Sequence, residues 1–414
     1  MRKALPACGE PWESIESRMD ELRTRDVDWR GGRLPFHIWY GGEDVVEIQK
    51  KGYMAFMQEN GLGAGKSFQS LKVMEDDLLD FAAGLLHGPE AVGHLTSGGS
   101  ESIFVAMKAA RDWARVHHPT NGTPEVVAPY SVHPTLNRAA DYLGLRVVRT
   151  PVSADFRGDP TAISHAISAQ TIAIVGSAPC FPYGVVDPID AFGRIAQDNN
   201  LWLHVDACVG GYCLPFIAQL GHPVPPFDFA VPGVISMSAD LHKYAFSAKG
   251  ASTVLYRDSE FEQYQPFVFD DWPQGRFSNP NMAATRPGGS ISAAWAVMNY
   301  LGEEGYLRIY RRMMDMRKRY IDGINGIPGL EIRGEPHAML VTYGSQTLDM
   351  SAVADAMVLR GWYVARQRTP PGITLGLSLI HEPIVNVYLQ DLRAAVEGID
   401  QPGTLQGNIM ATPY

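Results

Sequence analysis

The chain has 414 residues, of which 45% are hydrophobic and 19% charged, and its formal net charge is −10. This composition excludes a disordered or collagen-like chain, and the acidic balance argues against nucleic acid or an acidic membrane surface as a partner. The four cysteines do not make a disulfide framework. The sequence has no signal-peptide pattern, membrane anchor or membrane-length apolar run, so we expect a soluble, cytoplasmic protein.

Residues 1–70 have no regular pattern except one predicted helix, 43–58. From about residue 75, short apolar segments alternate with amphipathic ones. Helices are predicted at 74–87, 134–144, 159–168 and 187–199, and a further long helix is predicted to begin at the turn 97–100. Strands are predicted at 125–129, 145–150, 171–176, 201–205, 233–238 and 251–256. Short strands that are apolar on both faces indicate an α/β protein, with a mostly parallel sheet covered by helices on both faces.

A long amphipathic pattern follows this unit and predicts helix at 290–301 and 304–325. Beyond it, the sequence predicts strands at 329–333, 338–343 and within 362–379, and helices at 350–361 and 385–397. We therefore expect four parts: an N-terminal segment 1–70, a large α/β domain 71–300, a smaller C-terminal α+β domain 301–400 and a tail 401–414.

Two charged residues stand at the ends of predicted strands. Lys243 follows His242 after strand 233–238, where an amine can form a Schiff base with an aldehyde cofactor, although a surface lysine is the simpler interpretation. Asp206 follows strand 201–205, where a buried carboxylate needs a cationic partner such as a protonated pyridine nitrogen. A capping role for Asp206 is an equal alternative.

The turn at 97–100 and a histidine after the next strand extend this pattern. Glycines at the turn allow backbone N–H groups to approach an anion, and Ser100 adds a hydroxyl. A plain helix cap is the alternative. His133 can stack on a flat ring, although a lone histidine is more often structural.

Two other patterns are set aside. The segment GAGKS at 63–67 ends like a phosphate-binding loop, but Asn60 stands where that loop needs glycine. The spacing of His204, Cys208 and Cys213 matches no usual zinc site. We expect no metal.

Taken together, TSGGSES, HPTLNRAADY, HVDACVGGYCLPF, ISMSADLHKYAFSAKGASTVLY and TRPGGSISAAWAVM resemble the sphingosine-1-phosphate lyase branch of the group II decarboxylases that use pyridoxal phosphate (PLP). The likeness runs from about residue 36 to 398. It implies a type I PLP-dependent fold, PLP as the cofactor, and a homodimer with shared active sites. It also implies Lys243 as the Schiff-base lysine, Asp206 as the partner of the pyridinium nitrogen and His133 as a stacking residue.

The resemblance assigns further residues to the cofactor and the substrate. The resemblance implies that Gly99, Ser100 and His242 hold the cofactor phosphate. It also implies that Gly288 and Gly289 are contributed by the neighbouring subunit. Lys249 matches a family lysine associated with a substrate phosphate, and we expect Tyr40 to contact the substrate. Trp39 stands in place of a family tyrosine, and Gly63 in place of a family histidine.

These implications predict a PLP-dependent carbon–carbon lyase. It would cleave a phosphorylated amino alcohol, such as a sphingoid base 1-phosphate, into an aldehyde and an amine by a retro-aldol reaction. Proton transfer would fall to Lys243 or a nearby tyrosine. The alternative within the same chemistry is an amino-acid decarboxylase. A non-catalytic binding protein is disfavoured because Lys243, Asp206 and His133 occur together.

Overall fold

The computed structural model describes residues 2–399, so the predicted tail 401–414 lies outside the described residues. Seven strands form the central sheet: β1 (Val92–Thr96), β2 (Glu125–Pro129), β3 (Arg146–Thr150), β4 (Thr171–Ser177), β5 (Trp202–Asp206), β6 (Val234–Ala239) and β7 (Ser252–Tyr256). Their order across the sheet is β1-β7-β6-β5-β4-β2-β3. The predicted α/β architecture is confirmed.

The sheet is mostly parallel, as predicted, with one reversed strand. Strands β2 to β6 pair in parallel, whereas β7 is antiparallel to both β6 and β1. A parallel return needs a crossover connection, usually a helix. The segment between β6 and β7 contains no helix, and β7 therefore turns back beside β6. Lys243 lies in this return.

Helices cover both faces of the sheet. The α-helices in residues 2–399 are α1 (Trp12–Arg23), α2 (Glu43–Ala55), α3 (Gln69–Leu85), α4 (Gly99–His117), α5 (Thr135–Leu143), α6 (Pro160–Ala166), α7 (Ile189–Asp198), α8 (Leu214–Gln219), α9 (Ser259–Glu262), α10 (Gly288–Asn325), α11 (Met350–Leu359) and α12 (Val385–Glu397). Val126 and Ala128 pack into one core with α4 and α5, whereas Val127 packs into the other. This alternation explains why the strands are apolar on both faces.

Helix α10 joins the large unit to a smaller one. The helix is continuous except at Gly302, whose φ of 55° interrupts it between the two predicted helical segments. It therefore runs across the predicted domain boundary between residues 300 and 301. The small unit contains a four-stranded sheet in the order β10-β11-β13-β12. Its strands are β10 (Glu331–Ile332), β11 (Leu340–Gly344), β12 (Ala365–Arg368) and β13 (Pro371–Gly376), and a separate hairpin before α10 is formed by β8 (Phe267–Phe269) and β9 (Phe277–Asn279).

The N-terminal segment is less irregular than predicted. Helix α1 was not expected, because none of its residues is buried and its sequence carries no core-facing stripe. A 3₁₀ turn, Gly61–Gly63, follows α2. Within residues 2–399, no helix has the length and apolar character needed to cross a membrane.

Candidate active site

A cavity of about 320 Å³ lies at the edge of the sheet where β2, β5 and β6 end. This is the edge at which doubly wound sheets bind their ligands. Its lining includes six residues singled out by the sequence: Gly99, Ser100, His133, Asp206, His242 and Lys243. The fold thus collects residues that are widely separated along the chain. We call this space the cofactor cavity.

One wall of the cofactor cavity is the glycine turn, residues 97–100, at the start of α4. No hydrogen bond is made by the backbone N–H groups of Gly99 or Ser100 anywhere in the described range 2–399. A Cβ on Gly99 would lie 2.5 Å from Cys208 Sγ and 3.0 Å from the Asp240 carboxylate. Glycine is therefore required for this close approach. The unpaired N–H groups and the helix dipole suit a phosphate group.

The opposite wall holds a buried ion pair. Lys243 Nζ lies 2.9 Å from Asp240 Oδ2, and His242 Nε2 lies 3.8 Å from the same oxygen. Burial works against the charge of Lys243, but the Asp240 carboxylate outweighs it and raises the pKa of the lysine above its ordinary value. Burial likewise acts against the Asp240 carboxylate, yet Lys243 and His242 hold its pKa below the ordinary value.

Asp206 lies at the end of β5 and faces the cofactor cavity. Its Oδ1 accepts a hydrogen bond from the backbone N–H of Cys208 at 3.1 Å. In the described part of the chain, no donor pairs with its second oxygen. A carboxylate held this way, 9% exposed, suits a protonated ring nitrogen.

His133 faces the same space as a neutral ring. Burial lowers the pKa of its imidazole. Its Nδ1 accepts a hydrogen bond from the backbone N–H of Thr135 at 3.2 Å, so the proton of the neutral ring lies on Nε2. Phe181 meets this ring edge to face, with 5.5 Å between the centroids. The supported, uncharged ring is suited to stacking on a flat heteroaromatic group.

The donor set fits the cofactor that the resemblance implies. Unpaired N–H groups at the glycine turn match a phosphate, the Asp206 carboxylate matches a pyridine nitrogen, and the Lys243 amine matches an aldehyde. All three kinds of group line one cavity. No cluster of three metal-ligating side chains occurs in residues 2–399.

Sequence reasoning assigned no role to two acidic residues of this site. Asp240 was visible in SADLHKY, but its role depends on its distance to Lys243. Glu101 was visible in TSGGSES. Its Oε2 accepts hydrogen bonds from the N–H and hydroxyl of Ser97, and its Oε1 from the N–H groups of Met282 and Ala283. Glu101 therefore ties the glycine turn to the segment before α10.

The predicted substrate residues separate in the structure. Lys249 Nζ lies 4.0 Å from the centre of the Trp39 ring and 3.4 Å from the carbonyl oxygens of His37 and His242. Burial, followed by the charge of Lys243, lowers its pKa to about 8. No carboxylate in the described range forms an ion pair with it.

Tyr40 is not brought to the cofactor cavity. Its hydroxyl donates a hydrogen bond to Glu43 at 3.1 Å, and it lines a separate surface pocket with Arg30 and Arg312. Burial, followed by Glu43, raises the pKa of Tyr40 to about 12. Trp39, its neighbour, instead turns toward both Lys249 and Lys243, whose Nζ lies 6.0 Å from its ring centre.

The other predicted site glycines, Gly288 and Gly289, pack closely against backbone atoms of the same chain. A Cβ on Gly288 would lie 2.7 Å from the carbonyl oxygen of Glu59, and one on Gly289 2.7 Å from that of Tyr53. Neither glycine lines the cofactor cavity of its own chain. A Cβ on Gly63 would lie 2.8 Å from the Phe68 ring, so a histidine there would require that ring to move.

Comparisons with known proteins identify the family to which the chain is similar. The model of the pyridoxal-dependent decarboxylase conserved domain matches residues 69–345. The chain is 37% identical to a sphingosine-1-phosphate lyase of Arabidopsis thaliana, covering 98% of this chain and 76% of that protein. It is 31% identical to a probable L-tyrosine/L-aspartate decarboxylase of Methanothermobacter thermautotrophicus, covering 83% and 93%. A solved sphingosine-1-phosphate lyase of Burkholderia pseudomallei superimposes with a TM-score of 0.91 at 32% identity, covering 96% and 93%.

Proposed function

Because this chain belongs to the pyridoxal-dependent decarboxylase family and, within it, to the sphingosine-1-phosphate lyases, we propose that it cleaves the Cα–Cβ bond of a phosphorylated amino alcohol such as a sphingoid base 1-phosphate. The products are an aldehyde and a phosphorylated amine. The observation that carries the proposal is the cofactor cavity, in which Lys243, Asp206 and His133 meet the glycine turn.

Bound PLP supplies an aldehyde that joins to amines and a ring that accepts the electron pair of the broken bond. The residues of the cofactor cavity supply the contacts that this chemistry needs. The glycine turn and His242 would hold the phosphate, Asp206 would stabilise a proton on the ring nitrogen, and His133 would stack on the ring. Together these contacts would orient the cofactor in the cavity.

Proton transfer is assigned to Lys243. Its Nζ faces the cofactor cavity, and Asp240 stabilises its protonated form. No tyrosine is among the residues that line this cavity, and the hydroxyl of Tyr244 donates to the carbonyl oxygen of Leu377 at 3.0 Å. The tyrosine alternative therefore has no support here. In its neutral form Lys243 would accept the proton of the β-hydroxyl, and Asp240 would stabilise the ammonium so formed, which would then deliver a proton to Cα.

We assign the substrate phosphate to Lys249 as part of this proposal. This ammonium lies near Lys243, and its contacts are two backbone carbonyls and a ring rather than a carboxylate. An anionic group on the substrate would supply the missing negative charge. This arrangement favours a phosphorylated substrate over an ordinary amino acid.

The test is to incubate the PLP-loaded enzyme with a sphingoid base 1-phosphate and, separately, with L-tyrosine, L-aspartate and L-glutamate. Release of a long-chain aldehyde without carbon dioxide is the expected result. Carbon dioxide from an amino acid, with no aldehyde from the phosphate, would establish the decarboxylase alternative.

We also propose a homodimer. The β8–β9 hairpin exposes Phe267, Phe269 and Trp272, at 57%, 47% and 40%. Exposed apolar patches of this kind mark interaction surfaces. The segment that follows the hairpin is fixed to the glycine turn by Glu101, so the hairpin connects through residues 282–283 to a wall of the cofactor cavity. A second copy covering this patch would support both cavities.

Light scattering on a Phe267→Asp/Phe269→Asp variant tests the dimer. The variant should lose the dimer and most of its activity, whereas Val116→Asp, at an exposed position of α4, should lose neither. A wild-type enzyme that is monomeric and fully active would contradict the proposal.

A further inference from the structure

A cavity of about 350 Å³ lies between α10 and the small unit. Arg317, Ile321 and Asn325 line it from α10, and residues 334–337 line it from the segment that joins β10 to β11. His222, in the loop after α8, adds a wall from the large unit. Among the described residues, none lines both this space and the cofactor cavity. We call this second space the α10 cavity.

Arg317 brings a positive charge to the α10 cavity without a counter-ion. Its Nη1 donates to the carbonyl oxygens of Pro336 at 2.6 Å and Ala338 at 3.1 Å. Within residues 2–399, its Nε and Nη2 make no hydrogen bond and no carboxylate forms an ion pair with it. Burial lowers the pKa of Arg317 to about 10, so the guanidinium is still charged at neutral pH. A largely buried cation in this state favours an anion as its partner.

Two further side chains of the lining offer N–H groups whose orientation the backbone fixes. Nδ1 of His337 accepts a hydrogen bond from the N–H of Val186 at 3.1 Å. Burial, followed by neighbouring arginine charges, lowers the pKa of this imidazole to about 4, so the ring is neutral and its proton lies on Nε2. Asn325 Oδ1 accepts from the N–H of Ile332 at 3.2 Å, which leaves its NH₂ group as a donor. In the described part of the chain, neither donor has an acceptor.

Glu335 is the acidic side chain of the α10 cavity. It is exposed, and no cation in the described range forms an ion pair with it. The lining therefore offers donors and a positive charge to an anion, and one carboxylate to a cation. A ligand that carries both a negative and a positive group can use the whole set.

We propose that the α10 cavity binds a small phosphate anion. The planar guanidinium of Arg317 and the N–H groups of His337 and Asn325 match phosphate oxygens, which only accept hydrogen bonds. The phosphate has two sources: free phosphate, and the 2-aminoethyl phosphate that cleavage of a sphingoid base 1-phosphate would release. The ammonium of the second compound would also meet Glu335. Only this second source rests on the proposed lyase function.

The test is equilibrium dialysis of the PLP-loaded enzyme with inorganic phosphate and, separately, with 2-aminoethyl phosphate, which measures binding without turnover. Asn325→Asp retains the acceptor for the N–H of Ile332 but replaces the NH₂ donor with a negative oxygen. The variant should bind both ligands about tenfold or more weakly at this cavity, the loss expected for one hydrogen bond to a charged group.

Asn121→Asp is the matched control for that variant. It adds the same charge at an exposed position that lines neither the α10 cavity nor the cofactor cavity, and binding should stay at the wild-type level. Phosphate held at Lys249 contributes equally to the wild type and both variants, so the comparison reports the α10 cavity alone.

Glu335→Gln separates the two sources. If the occupant is 2-aminoethyl phosphate, the wild type should bind it more tightly than free phosphate, and the variant should weaken it by about two- to fivefold, as expected for a solvent-exposed ion pair. Removal of the like charge should tighten free phosphate in the same variant. A wild type that binds free phosphate more tightly would establish free phosphate as the occupant.

The outcomes that overturn the proposal are distinct from those that overturn the lyase function. Absence of binding beyond one phosphate per chain, or equal binding by the wild type and Asn325→Asp, would overturn the α10 cavity as a phosphate site, whatever the enzyme cleaves. Arg317→Met, with its folding checked by circular dichroism, should also lose this binding. If that variant does not fold, Asn325→Asp decides alone. Binding at the α10 cavity by an enzyme that cleaves no sphingoid base 1-phosphate would overturn the proposed function and leave the phosphate site standing.

Discussion

The two sides of the catalytic space are built differently. The cofactor side stands on the strand end that carries Asp206, on the first turn of α4 at Gly99, and on Lys243, which a buried ion pair with Asp240 holds at 2.9 Å. The substrate side stands on the segment around Trp39 and on the return that carries Lys249, outside the sheet. Strand ends have positions set by the sheet, whereas loops permit substitution. The chemistry is therefore fixed more firmly than the choice of substrate.

The largest effect is expected at Lys243. Lys243→Arg retains the charge facing Asp240 but cannot form the covalent bond to the cofactor, so turnover should fall by about a thousandfold or more while the fold remains. Borohydride should attach PLP irreversibly to the wild-type chain and not to the variant, as mass spectrometry would show. A variant that is labelled, or one that turns over at the wild-type rate, would refute the assignment.

Asp206→Asn should have the next largest effect on the cofactor side. An amide cannot stabilise a proton on the ring nitrogen, so kcat should fall by about a hundredfold or more, the loss typical when one electrostatic contact to the transition state is removed. PLP should still bind, as followed by its absorbance. A near-normal kcat would mean that Asp206 only caps the backbone of Cys208.

On the substrate side, Lys249→Met should raise KM rather than lower kcat. A charge-assisted hydrogen bond is worth about 1.5–3 kcal/mol, so KM for the phosphorylated substrate should rise about ten- to hundredfold. A distal clamp acts equally in the ground and transition states, and kcat should stay within about threefold. An unchanged KM would place the phosphate elsewhere.

The pH dependence sharpens the same prediction. Lys249 carries its proton below its lowered pKa of about 8 and loses it as the pH rises through that value. In the wild type, kcat/KM for a phosphate substrate should therefore fall above about pH 8, since this profile reports the free enzyme. In Lys249→Met that alkaline fall should be absent.

The smallest effect is expected at Trp39. Its ring is a partner of the charged form of Lys249, and a cation–π contact of this kind is worth about 0.5–1 kcal/mol. Trp39→Leu should raise KM by about two- to fivefold and move the alkaline fall to lower pH. Trp39→Tyr, which keeps an aromatic face, should recover most of this loss. Equal KM values for Leu and Tyr variants would exclude a role for the ring face.

The sequence predicted which residues meet at the edge of the sheet better than it predicted side-chain directions in the N-terminal segment, for a physical reason. Strand β2 has its predicted bounds, and the residues after β2, β5 and β6 converge because parallel strands end at one edge. Which of Trp39 and Tyr40 faces inward depends on side-chain direction in an irregular segment, and no pattern encodes that. The Asp240–Lys243 pair was missed because both residues lie in a return with no regular geometry.

The contact between Gly99 and Cys208 also limits how this enzyme can be altered by design. The cysteine sulfur occupies the space that a side chain at residue 99 would need, 2.5 Å from an added Cβ. The two positions therefore behave as one unit, although more than a hundred residues separate them along the chain. A library that varies residue 208 toward larger side chains would close the glycine turn, whereas a smaller residue there is the precondition for any change at residue 99.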